Sequence, residues 1–143
     1  MIAFASPALL LLMTFGRTSG QLATEVPTYT IKGPTVIAFF RPVTDAELEK
    51  ESDTNEVLSD FQLYASQAAP RLKRAGIDFE VASAVKFRLK YGGSVRTFTA
   101  GKIGVGYYFV APGKKPRVEC GVHDDLDIME IARKYFRLSI DTQ

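Results

Sequence analysis

Residues 35–42 read TVIAFFRP, and this short run decides the fold. Five of its first six residues are β-branched or aromatic, with no polar and apolar alternation, the composition of a strand covered on both faces. A central strand is therefore predicted from Thr35 to Phe40, with Arg41 and Pro42 marking its exit. Open α/β sheets bind ligands at the carboxyl ends of their strands, so that exit is the first place to look for function.

Downstream, the polar segment RPVTDAELEKESD offers Thr44 and Glu47 at capping-box spacing, and Asp53 with Glu56 as a second cap. From Thr54 the residues Val57, Leu58, Phe61, Tyr64, Ala65, Ala68, Leu72 and Ala75 recur at threes and fours, which predicts one helix face against a core. Arg71, Lys73 and Arg74 suit the negative end of its dipole, and Gly76 stops it. Pro70 lies inside this pattern and predicts a kink or a new segment. Ile77, Phe79 and Val81 then alternate with Asp78 and Glu80, giving a strand at about residues 77–82. KFRLKYGGSVRTFT reads as a hairpin around Gly92 and Gly93, and a two-residue loop sets Phe87 opposite Phe98 and Arg88 opposite Thr97. VGYYFVAP turns through GKKP into RVECGV as a second antiparallel pair. Asp124 or Asp125 caps a last helix that buries Ile128, Ile131, Ala132, Tyr135 and Phe136. The expected architecture is α/β, or α+β with a mixed sheet of five to six strands, and its two helices cover opposite faces.

Upstream, residues 1–20 form an apolar block without acidic residues that ends in small residues, the pattern of a secretory signal peptide. An N-terminal membrane anchor is the alternative, although the apolar span is shorter than the roughly 20 residues that crossing a bilayer takes. Residues 21–34 carry two prolines and read as a leader, residues 35–138 as one domain, and residues 139–143 as a tail. The 143 residues are 46% hydrophobic and 24% charged, with a net charge of +2, which suits one globular domain and gives no support to a nucleic-acid partner. Cys120 is the only cysteine, so no internal disulfide forms.

The order just described, TVIAFF entering a helix and VGYYFVAPGKKPRVECGV followed by HDDLDIMEIARKYF, resembles the thioredoxin-like superfamily over most of residues 35–137. The resemblance implies a Cys-x-x-Cys pair after the first strand and a cis-proline before the next-to-last strand. Here RPVTDAE stands in place of the thiol pair, and KIGVGYYF has no proline, with Gly104 or Gly106 nearest its place. The family's usual second helix is replaced by the Lys86–Thr99 hairpin. Together with the leader, the resemblance implies a divergent exported bacterial protein, periplasmic or secreted, without the family's redox chemistry.

Candidate chemistry is sparse. Cys120 alternates with Val118 on one strand face and is expected to be a buried, inert thiol, since a free cysteine behaves as a small apolar residue. His123, three residues on, raises a Cys–His dyad and hence a thiol-dependent peroxide or thiol reductase working with an external partner, although strand-exit geometry argues against the pairing. His123, Asp124 and Asp125 form the only compact set of metal-ligand types, and helix capping accounts for its aspartates, so neither metal nor cofactor is expected. Lys86, Arg88 and Lys90, joined by Arg96, form an alternative anion-binding row, or a charged edge that discourages aggregation and could instead join copies of an envelope structural protein. The leading binding residues are Arg41 and Asp45 at the exit of the central strand, expected to hold a protein or peptide partner, and the thioredoxin-like resemblance implies that Lys102 and Tyr107 lie beside them.

Overall fold

The computed structural model describes residues 26–42 and 52–137, the side chains of residues 52–55 excepted. The N-terminal block, the Thr44 and Glu47 capping box, and Asp45 lie outside these residues, as do the side chain of Asp53 and the C-terminal tail. Strands β1 (Thr28–Thr30) and β2 (Thr35–Phe40) precede helix α1 (Ser52–Arg74). Strands β3 (Asp78–Ala82), β4 (Lys86–Tyr91), β5 (Ser94–Thr99), β6 (Val105–Ala111) and β7 (Lys114–Cys120) follow, and helix α2 (Asp125–Phe136) closes the order.

The strands divide into two sheets. Four take the order β3-β2-β6-β7, with β3 parallel to β2 and with β6 and β7 successively antiparallel. Three take the order β1-β4-β5. The expected single mixed sheet is thus corrected. After Ala82 the chain leaves its sheet, and β4 pairs with β1 on one side and β5 on the other. Part of the segment read as leader is therefore structural. In Thr28-Tyr29-Thr30-Ile31 the apolar residues alternate inward, and Tyr29 meets Phe87 edge-on at 5.9 Å and donates its hydroxyl to the Val81 carbonyl at 3.3 Å.

Alternation along the central strands builds two cores. Val36, Ala38 and Phe40 of β2, with Tyr107 and Phe109 of β6, face Phe61, Ala65, Ala68 and Leu72 of α1 and Ile128, Ala132 and Tyr135 of α2. Ile37, Phe39, Tyr108 and Val110 point the other way, onto Ile31, Phe87 and Leu89 of the three-stranded layer. Both helices therefore lie on one face of the four-stranded sheet, where opposite faces were expected. The hairpin explains this: its Phe87 and Leu89 present a ready apolar face, and it takes the side that a helix would otherwise have to cover. Arg71 and Asp125 join the two helices at 3.1 Å.

Several local signals hold as read. All six residues of β2 are buried, and the hairpin register pairs Phe87 with Phe98 and Arg88 with Thr97. Gly76, at φ +82°, donates to the Lys73 carbonyl while Ile77 donates to that of Leu72, a Schellman closure that frees β3 to start. Asp124 caps α2 by accepting from the Asp127 N–H at 2.8 Å. Two details differ. Helix α1 runs unbroken past Pro70, which faces solvent, and Val57, expected on the buried stripe, is 42% exposed.

Candidate functional site

At the exit of β2 the ladder runs one step past the strand. Phe40 pairs with Val105, and the Arg41 N–H donates to the Gly104 carbonyl at 2.7 Å. This bond brings Arg41 beside the loop that carries Lys102, and both residues are exposed. The Gly121 N–H reaches the Val105 carbonyl at 2.9 Å, so the end of β7 sits at the same edge. Tyr107 is not on this surface. It is wholly buried on the helix side and donates its hydroxyl to the His123 carbonyl at 3.3 Å, and burial raises its pKa above the ordinary phenol value.

Cys120 corrects the expectation of a buried thiol, because it is exposed. It pairs with Gly106, which itself pairs with Phe39, so all three share the face turned toward the three-stranded layer. Cys120 stands at the end of edge strand β7, where that layer no longer covers it. His123 does not reach over to the thiol. Its Nε2 lies 3.0 Å from the Cys120 carbonyl oxygen and so carries the proton of that hydrogen bond. Its Nδ1 lies 3.8 Å from an Asp127 carboxylate oxygen, and its ring meets Tyr107 edge-on, on the helix side. Asp125 is held by Arg71 and Asp124 by its cap, and among the described residues no three His, Cys, Asp or Glu side chains gather in a metal-ligating group.

The basic hairpin divides by face. Lys86, Arg88 and Lys90 are exposed on the outside of the three-stranded sheet, where their cross-strand partners are Thr99, Thr97 and Val95. Strand β4 is the centre of that sheet and β5 its edge, which refines the picture of an edge hairpin. Arg96, expected to join this row, pairs with Leu89 and so points to the opposite, inward side. There it meets a cavity of about 460 Å³ lined by Tyr91, Ser94, Arg96, Gly113, Lys114 and Lys115.

Two elements build this cavity: the turn end of the β4–β5 hairpin and the start of β7. The Arg96 guanidinium lies 6.0 Å from the centre of the Tyr91 ring, and Lys114 Nζ lies 4.7 Å from that of Tyr135. The Tyr135 hydroxyl donates to the Lys115 carbonyl at 2.6 Å, which fastens the start of β7 to helix α2. Ser94 donates to the Tyr91 carbonyl, and the Tyr91 hydroxyl is buried beside that of Tyr108. Burial raises the pKa of Tyr91, with Arg96 pulling it back, and burial also raises Tyr108 and Tyr135, next to Tyr91. These phenols are neutral near pH 7 and do not offset the cations. The hairpin register, legible in the sequence, already set Arg96 on the face opposite Arg88. What the sequence did not disclose was the approach of Lys114 and Lys115, which depends on packing between sheets.

Among the described residues, no helix is long and apolar enough to cross a membrane. Compared with protein-family models, with curated proteins and with solved structures, the chain matches none of them.

Proposed function

We propose that this chain is a non-redox, thioredoxin-like binding or accessory domain of an exported bacterial protein, with the exit of β2 as its recognition edge. The observation that carries this reading is the β3-β2-β6-β7 sheet with Arg41 and Pro42 at the exit of its central parallel strand, where a redox relative holds its thiol pair. The strand directions, α1 between the parallel pair β2 and β3, and α2 after β7 support the superfamily resemblance. In this reading β4 and β5, together with β1, stand where the family has its second helix. Thiol exchange proceeds through a thiolate and a resolving partner, whereas here a single exposed thiol has the imidazole of His123 turned to its backbone carbonyl. A guanidinium at a strand exit suits recognition instead, since it grips a carboxylate or a peptide carbonyl without transferring anything.

The test is turnover. The full chain is incubated with dithiothreitol and either an insulin disulfide or hydrogen peroxide, beside its Cys120→Ser variant. The expected result is one equivalent of native-state alkylation at Cys120 and no turnover above buffer for either protein. Turnover that disappears in Cys120→Ser overturns the proposal in favour of a thiol-dependent enzyme.

A further inference from the structure

The cavity between the hairpin and the start of β7 lies at the far end of β6 from the Arg41 edge, and its chemistry is independent of that edge. The geometry points to a binding site there for a small organic anion bearing two or more acidic groups, phosphate or carboxylate, held by Arg96, Lys114 and Lys115. Three features of the site select this ligand class.

The first is uncompensated charge. Arg71, Arg117, Arg133 and Lys134 each sit within 4 Å of a carboxylate, whereas Arg96, Lys114 and Lys115 take part in no such pair among the described residues. Among the described residues, no acidic side chain lines the cavity. Like charges gathered from two separate elements repel one another, and a bound anion removes that repulsion. The second feature is how the cations are held. Arg96 stands over Tyr91 and Lys114 over Tyr135, so ring faces position them and leave their charge available. The Tyr135 hydroxyl fixes the backbone at Lys115 as well, which makes Tyr135 a positioning residue for two of the three cations. Groups held in place before the ligand arrives lose less freedom on binding.

The third feature is size. A volume of about 460 Å³ falls within the range of small-molecule sites, and a lone inorganic ion would leave most of it to water. An organic body with acidic groups at separated positions can meet the guanidinium in a two-point contact and the ammonium groups as point charges.

The test is calorimetric titration of the full chain with two probes, pyrophosphate for phosphate groups and citrate for carboxylates. Saturable binding of at least one probe with a stoichiometry near one is expected, and the preferred probe identifies the acidic group. Arg96→Gln and Lys114→Gln are each expected to weaken binding about tenfold, the loss of one charge-assisted contact. Arg74→Gln, at the end of α1, removes the same charge outside the cavity and is expected to leave affinity within about twofold. If Arg96→Gln fails to fold without its ring contact, Lys115→Gln at an exposed side chain reads the same loss. Absence of saturable binding by either probe overturns the site. So does equal weakening by Arg74→Gln, since the attraction would then belong to the protein's overall charge.

Discussion

Gly106 offers a sharp test of how β2, β6 and β7 fit together, because the ordinary expectation and the tertiary one differ in sign. Within a strand, alanine is normally favoured over glycine by about 0.5–1 kcal/mol, through the lower backbone entropy of its unfolded chain. A Cβ added at Gly106 would stand 2.8 Å from the Glu119 carbonyl oxygen and 2.8 Å from the Phe39 ring. Neither neighbour gives way easily. The carbonyl belongs to the adjoining strand, and the Phe39 ring is packed at 5.4 Å from Phe98 and 6.1 Å from Phe87. Overpacking of this kind costs roughly 1–3 kcal/mol. After the propensity gain is subtracted, Gly106→Ala is expected to destabilise the fold by about 1–2 kcal/mol. For a domain of this size that lowers the thermal midpoint by roughly 4–8 °C. Gly104→Ala is the control, since a Cβ there meets nothing within 4 Å and its φ is not in the left-handed region. Its midpoint is expected within about 2 °C of the parent. Both are read by circular dichroism melts of the full chain. A Gly106→Ala protein that melts at or above the parent temperature would refute the close approach of Phe39 and β7 over β6.

Phe87→Ala is expected to cost about 3–5 kcal/mol in denaturant unfolding, because this wholly buried ring meets Tyr29, Phe39, Phe98 and Tyr108 at 5.0–6.1 Å. A loss below about 1 kcal/mol would mean that the three-stranded layer is an appendage and not half of the core. Alkaline pH tests the same layer through Tyr29, whose phenol is pushed up to about 12 by burial and then by Glu80. A folded pKa above the unfolded value of about 10 contributes stability that is complete below about pH 10 and is lost as pH climbs toward 12. Unfolding midpoints are therefore expected to fall over that window, less steeply in Tyr29→Phe. An identical fall in parent and variant would contradict the burial of that hydroxyl.

The features that sequence alone determined are those whose physics is local. The unbroken apolar run of β2 required cover on both sides, the threes and fours of α1 selected its buried face, and the Gly92-Gly93 loop set the hairpin register. The Asp124 cap and the Gly76 stop follow from backbone groups within one helical turn. Among candidate site residues, Arg41 and Lys102 were expected together only through the thioredoxin-like resemblance, and the backbone bond from Arg41 to Gly104 brings the Lys102 loop beside Arg41. Tertiary structure decided what depends on which layer covers which. Tyr107 alternates as a strand residue should, but only the seating of both helices on one face makes it core. Cys120 follows the same alternation as Val118, and its exposure arises because it ends an edge strand beyond the cover of the second sheet. Arg96 stands in β5 and Lys114 and Lys115 in β7, and nothing in the local sequence draws the two strands together. They line one cavity because the hairpin packs against the face of the sheet that the helices leave open, a choice made by the apolar area each layer has to bury.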